Sequence, residues 1–478
     1  MTPAPAEKAN VFVKQLRQPV PNADKDTTVG RLFPRGQFVH RLNAGQAVVF
    51  RHHFLTNPSD HVVLNKMEIK DFNGSIDCGV GPSESFDVVS CSTSGRITIA
   101  NVTADGTQTH FECSVHLQEE NEQITECCHA GIYRSGSLHN SAVFQPPPLL
   151  SFSSGNVVML GSTCEELYLI RRYGHSLTAD RLQRNRSLFA NLLTSGARFI
   201  GIKPAHSSGS RIVKALPVPL SCLLVSVGSS LLSVWSEWTN PGSEQVVWEH
   251  NLREVLSADV SGLESSRNSH LEIVDAALMP VEVGAERATL LVLSAYYPEN
   301  APRDSTAVSS SLWLHTLEIS IPSSAGLLAG EAPFSVLHRL QLAEAALFKP
   351  FNSELATFTS HSDHYVAPRI CTMHPSWRVY AAWSGVSHSA AAASGASTLH
   401  AAQIDVLNQA LLNATAAFER SARGTGSAPD ALRCKNAVDS EISLSSVGAL
   451  AAVAGTDGIC IVHTGNHHLV TLGLELLQ

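Results

Sequence analysis

Residues Ser221–Trp235, SCLLVSVGSSLLSVW, carry two short apolar runs on either side of Gly228, Ser229 and Ser230. Each run is too short for an ordinary helix. A Gly/Ser step between two Leu- and Val-rich runs is the chemistry of a tight turn, so the stretch reads as an antiparallel hairpin. Working outward, the pattern repeats. SFDVVSCSTSGRITIANV (85–102) turns at Thr93 to Gly95, and NVVMLGSTCEELYLI (156–170) turns at Gly161 to Thr163. ATLLVLSAYY (288–297) and SLWLHTLEI (311–319) are joined by a longer polar loop from Pro298 to Ser311. RICTMHPSWRVYAAWSG (369–385) turns near His374 to Ser376, and ALAAVAGTDGICIVHTG (449–465) turns at Gly455 to Gly458. An earlier pair, QAVVFRHHFLTNPSDHVVLNKMEI (46–69), turns around Asn57 to Ser59.

From the hairpin at 85–102 onward the turn centres recur about every 65 to 80 residues, the mark of a repeated supersecondary unit. One hairpin leaves two open edges and an unburied face, so a row of them must stack or close on itself. Radial closure gives the expected fold: all-β, an irregular seven-bladed β-propeller with helical insertions between blades. The period exceeds the roughly 40 to 45 residues of a WD blade. None of the six tryptophans is followed by Asp, so the repeat is not of the WD type. Residues 1–28, rich in Pro, Ala, Lys and Asp, read as a flexible N-terminal tail, and 29–478 as the propeller.

Composition narrows the function classes. The chain has 478 residues, 44% hydrophobic and 16% charged, and 33 Lys plus Arg against 42 Asp plus Glu give a formal charge of −9. An acidic balance does not suit nucleic-acid phosphates, so no direct nucleic-acid partner is expected. The N-terminus lacks a cationic start followed by an apolar stretch, and no run approaches about 18 apolar residues, so the expected location is cytosolic or nuclear and any membrane contact peripheral. Ten scattered cysteines read as buried thiols rather than a disulfide framework.

Two segments break the β pattern. LHAAQIDVLNQALLNATAAFERSAR (399–423) places Ile404, Leu407, Leu411, Ala414 and Phe418 on one side of a helix, between Ser/Ala/Gly-rich flanks, so 386–430 reads as a low-complexity and helical insertion. SLFANLLTSGARFIGI (187–202) places Leu188, Phe189, Leu192, Leu193, Phe199, Ile200 and Ile202 on one half of a helix, with Ser195 the one polar side chain among them. The other half, Ala190, Asn191, Thr194, Ala197 and Arg198, is nearly uncharged. With few basic residues for headgroups, the apolar face must supply any binding, and such a helix inserts best where lipid packing is loose, as on curved membranes. The alternative is a connecting helix buried on the propeller. The residues alone leave both readings of 186–210 open, the membrane-sensing loop and the buried helix.

Catalytic signatures are missing: no phosphate loop, no G-x-S-x-G, no H-E-x-x-H and no Cys-x-x-Cys of zinc-ribbon spacing. Neither an enzyme nor a cofactor or metal site is expected. The nearest metal-like fragments are Cys127-Cys128-His129 and His361-Ser-Asp-His364, and adjacent cysteines on a strand point to opposite faces. Glu119-Glu120 and Glu165-Glu166 read as solvated charge beside turns.

From about Asn156 to the C-terminus the segments, taken in order, resemble the N-terminal β-propeller of the nucleoporin one-thirty-three family, a scaffold of the Y-shaped outer-ring complex of the nuclear pore. LLVSVGSSLLSVWSEW followed by VVWEHNLREVL is similar to that family's strand, Ser-rich turn, Trp-ended strand and Trp-acidic segment opening a short helix. LLVLSAYYPENAP with SLWLHTLEI, FKPFNSE followed by RVYAAWSG, and GALAAVAGTDGICIVHTG resemble its later blades, and FDVVSCSTSGRITIANV an early one. SLFANLLTSGARFIGI falls between the GSTCEELYLI and SVGSSLLSVW hairpins, where the family carries its curvature-sensing loop. Family members continue into an α-helical stack that joins the Y complex; this sequence stops at Gln478. The sister family, nucleoporin one-fifty-five, shares the propeller.

The resemblance implies a structural scaffold of the pore at the nuclear envelope. Its implied partners are other nucleoporins of the Y complex and the curved nuclear-envelope membrane, in support of nucleocytoplasmic transport, including mRNA export and protein transport. Two rivals stand beside it. One is a generic propeller interaction platform, which predicts a segment 187–202 protected without lipid. The other is an enzyme using a propeller's central channel, which predicts convergent carboxylates or histidines there.

Overall fold

The computed structural model describes 28 strands and one helix between Val11 and Leu476, with the short connections between them, and side chains within the span from Asp87 to Trp383. Outside the described residues lie 1–10, 20–29, 51–60, 65–74, 134–154, 184–210, 261–268, 302–307, 322–332, 351–367, 387–396, 407–431 and shorter stretches.

β1 (Val11–Pro19) is followed by three four-stranded antiparallel sheets. These are β2 (Gly30–Leu32), β3 (Phe38–Asn43), β4 (Gln46–Phe50) and β5 (His61–Leu64); β6 (Ser75–Val80), β7 (Phe86–Cys91), β8 (Arg96–Val102) and β9 (Gln108–Ser114); and β10 (Ile124–Tyr133), β11 (Gly155–Ser162), β12 (Leu167–Tyr173) and β13 (Ser176–Arg181). A fourth holds β14 (Ile212–Pro217), β15 (Leu223–Gly228), β16 (Leu231–Ser236) and β17 (Gln245–Asn251), after which comes helix α1 (Leu252–Val260). An eight-stranded sheet takes β18 (Ser269–Leu278), β19 (Arg287–Pro298), β20 (Val308–Ser320), β21 (Phe334–Phe348), β22 (Arg369–Met373), β23 (Arg378–Val386), β24 (Ser397–Val406) and β25 (Leu432–Leu444). It joins two runs of four where Ala346 and Leu347 pair with Gly385 and Ser384. The last sheet, β26 (Val447–Val453), β27 (Ile459–Thr464) and β28 (His468–Leu476), is completed by β1 on its outer edge.

The first strands of successive sheets touch one another, β6 to β10, β10 to β14, β14 to β18, β18 to β22, β22 to β26 and β26 to β2. The sheets therefore stand face to face, and the core lies in layers between them. Between the second and third sheets of the chain, Val89, Ile97, Ile99 and Phe111 meet Val158, Leu160, Tyr168 and Ile170. In the next layer Met159, Leu167 and Leu169 meet Ile212, Leu224 and Trp235. Beyond it Val225, Val227, Val234 and Trp248 meet Ile273, Leu290, Val292 and Leu317. A strand buried on both faces has no reason to alternate, which is why LLVSVG is buried throughout and why the sequence shows apolar runs instead of period two. The helix that the resemblance places after Trp248 is α1, which buries Leu252 and Leu256 and is capped where Asn251 Oδ1 accepts from the Glu254 N–H at 3.1 Å.

The structure departs from the sequence reading in four places. The expected tail of 1–28 contains β1, because the short VFVKQLR run, which opens on strand-favouring Val and Phe, finds a free edge on β28 that composition does not reveal. Within the expected insertion 386–430, Ser397–Val406 is β24 and Ile404 lies on a strand; pairing with β23 and β25 on both sides overrides local helix preference, while 407–431 lies outside the described residues. Gly161 lies inside β11, which ends at Ser162, instead of opening the turn, which runs from Thr163 to Glu166 with Ser162 N–H donating to Glu166 O at 3.0 Å. A Cβ at Gly161 would meet Ile212 of the next sheet, so this glycine serves close approach. Finally, β19 runs through Pro298 and β20 begins at Val308, so the expected 298–311 loop is shorter.

Candidate functional site

Leu188, Phe189, Leu192, Leu193, Phe199, Ile200 and Ile202 lie outside the described residues, as does the whole of 184–210. Its two roots are described. On the N-terminal side, Leu182 donates its N–H to Leu167 O at 2.9 Å and is buried among Leu169, Trp235 and Trp238. Gln183 N–H donates to Glu244 Oε1 at 3.3 Å. On the C-terminal side, Arg211 N–H donates to Ser229 Oγ at 2.9 Å and Ser229 N–H returns to Arg211 O at 2.8 Å. The Arg211 guanidinium reaches Glu272 Oε1 at 3.1 Å, and Glu272 Oε2 accepts from the Tyr297 hydroxyl at 3.5 Å. Both roots are thus fastened to the β14–β17 sheet, and the second is tied onward to β18.

The turn ends of neighbouring sheets are stitched together. Ile124 N–H donates to Thr93 O of the preceding sheet at 2.8 Å, while within its own sheet Thr163 N–H donates to Gln123 O at 2.8 Å and Gln123 N–H to Thr163 Oγ1 at 3.0 Å. Glu165 holds a left-handed φ of 56° and is buried, its Oε1 accepting from Ser230 N–H at 2.8 Å and Ser229 Oγ at 3.4 Å. Only a glycine at 228 leaves room for that carboxylate, since a Cβ there would stand 2.5 Å from Oε1. Glu165 and Glu166 are therefore not the solvated pair of the sequence reading: Glu166 takes Arg181 at 2.6 Å. Nearby, buried Glu122 accepts from the Tyr168 hydroxyl at 2.9 Å and from Gln118 N–H at 2.9 Å. Burial and this carboxylate push the Tyr168 phenol up.

Inner strands bring a second polar group together. Lys214 Nζ of β14 lies 3.4 Å from Glu126 of β10 and 3.5 Å from Asp275 of β18, and Asp275 Oδ2 accepts from Ile370 N–H of β22 at 3.1 Å. These are the convergent carboxylates an enzyme reading looks for. Each is matched by a cation or an amide, an arrangement that joins four strands. Sequence reasoning missed them, although single charges inside ITECCHAGIY, IVKALP and SHLEIVDAAL were the signal. It also missed Ser294 Oγ, 2.8 Å from His315 Nε2. Both side chains are fully buried against Val292, Tyr296 and Trp313, where no substrate reaches a nucleophile.

Cys127 packs between the second and third sheets and Cys128 against the next layer, the opposite-face placement the sequence implies. His361 and His364 lie outside the described residues. Among the described residues no three His, Cys, Asp or Glu side chains group to hold a metal, and no helix is long and apolar enough to cross a membrane.

Four-stranded sheets following one another face to face, with the last completed by the first strand, define a β-propeller. The chain superposes on the Vanderwaltozyma polyspora Nup133 β-propeller domain with a TM-score of 0.54 over 98% of this chain and 100% of that one, at 10% identity. The Myceliophteria thermophila Cps50 (Swd1) β-propeller domain gives 0.46 at 9% identity over 96% and 99%, and the N-terminal domain of Nup159 gives 0.42 at 9% over 98% and 96%. No protein-family model and no curated protein sequence matches the chain.

Proposed function

We propose that this chain is a seven-bladed propeller that serves as a scaffold module of the nuclear pore outer ring, without catalysis. The count takes the eight-stranded sheet as two blades joined at Ala346–Gly385 and Leu347–Ser384. In this reading residues 186–210 dock on the curved pore membrane, and the blades face other nucleoporins of the Y complex in support of nucleocytoplasmic transport. The observation that carries it is the fastening of both roots of 184–210 to one sheet, at Gln183–Glu244 and Arg211–Ser229. The chain on either side of a segment whose stretch 187–202 reads as apolar on one half is fastened at two points. The likeness to the Nup133 propeller supports the same reading.

The binding energy would come from the seven apolar side chains. At about 25 cal/mol per Å2, inserting several of them is worth a few kcal/mol, mostly offset by the entropy of ordering the segment. Binding is weak per copy and effective through many copies. Limited proteolysis checks this. The account expects cleavage at Arg198 in the lipid-free chain and protection when small neutral liposomes are added. A segment that resists protease equally without lipid would favour the generic interaction platform.

A further inference from the structure

We propose that the outer edge of β28 is a strand-accepting site, filled within the chain by β1 and open in trans to the same segment of a second copy. Three observations carry this. First, β1 is the one strand that joins a sheet whose other members lie at the opposite end of the chain, and among the described residues its pairing is with β28 alone. Second, the pairing runs unbroken for nine residues, from Val11↔Leu476 to Pro19↔His468, with no register shift. Opposite residues share a face in such a ladder, so Val11 and Val13 stand with Leu476 and Leu474, Gln15 and Arg17 follow opposite Leu472 and Val470, and a one-residue slip would change every one of these partners. Third, residues 20–29 alone connect β1 to β2, so β1 can leave β28 while every pairing among β2 to β28 is kept.

The occupant follows from the register. The segment already paired with the β28 edge matches it over nine residues, and a second copy supplies that segment with identical partners, the strand exchange that makes swapped dimers. Within one chain the tether gives β1 an effective concentration on the order of millimolar, so exchange becomes visible when the intramolecular strand is weakened.

The test uses the full chain with Lys14→Pro and Gln15→Pro together. One of any two adjacent residues points its N–H at the neighbouring strand, so the pair removes at least one ladder bond whatever the phase. The probe is a labelled peptide of residues 11–19, with a scrambled peptide of the same composition beside it. The expected result is 1:1 binding of the native-order peptide to the variant, at least tenfold tighter than to the parent chain, with recovery of the melting temperature the substitutions lowered. A folded variant that ignores the peptide, or binds the scrambled one equally, overturns the proposal. If the variant does not fold alone, the peptide is added during refolding: recovery of folded chain supports the site, and no recovery overturns it.

Discussion

His315 sits in the layer between two sheets with Ser294 Oγ at 2.8 Å on its Nε2, and Arg339 adds positive charge nearby. Burial first, and that charge second, bring the imidazole down from the usual 6.5 to about 4. Between those values the unfolded chain takes up a proton that the folded chain refuses, so stability is full above pH 6.5 and falls as the pH drops toward 4. At 1.36 kcal/mol per pH unit the loss is up to about 3 kcal/mol, and urea unfolding of the parent chain and of His315→Gln at pH 7 and 5 reads it: the parent loses more. Arg171 makes a different forecast. It is buried, bonded to half-exposed Asp180 at 2.7 Å, and its Nε and Nη2 have no hydrogen-bond partner in the protein. Replacing such a group by an apolar side chain is commonly neutral or stabilising, so Arg171→Met should leave the melting point unchanged or raise stability by about 1 to 2 kcal/mol. The Gly228–Glu165 contact predicts coupling. Gly228→Ala should cost about 1 to 3 kcal/mol, and less when made together with Glu165→Ala, because the clash partner is gone.

At the scale of elements, the hairpins were legible because Gly, Ser, Asn and Asp steps interrupt apolar runs, and both strands and turn at 92–96 fall where the sequence put them, with Gly95 at a φ of 84°. What failed to show was pairing over long sequence separation. β1 lies more than four hundred residues from β28 in the chain, and a short VFVKQLR run inside a Pro- and Lys-rich context carries no mark of that partner. Ser397–Val406 likewise becomes a strand through β23 and β25, not through its own helix-favouring Ala and Gln. The candidate site divides in the same way. The sequence of 187–202 suggests an apolar face that lies outside the described residues, whereas the bond from Gln183 to Glu244 of the next sheet is purely tertiary. The inner-strand cluster around Lys214 predicts that Lys214→Ala, which strips Glu126 and Asp275 of their cation, costs about 2 to 4 kcal/mol by chemical unfolding. Arg211→Ala, which removes the guanidinium tie to Glu272 and keeps the backbone bonds to Ser229, should lessen discrimination between small and large liposomes more than it lowers the melting point.

For the whole molecule the formal charge is −9, but 186–210 carries Arg186, Arg198 and Lys203 and no Asp or Glu, so salt has to separate electrostatic attraction from apolar insertion. Raising ionic strength from about 0.1 M to about 1 M shortens the Debye length from about 10 to about 3 Å, so an electrostatic anchor would let go and the proposed apolar one would hold. Flotation of the purified chain with neutral liposomes of small and large radius, beside folded Leu192→Asp and Phe199→Asp variants, measures the central claim most directly. The account predicts preferential binding of the parent chain to small liposomes, kept in high salt and lost in both variants. A parent chain that stays at the bottom of the gradient with both liposome sizes contradicts it.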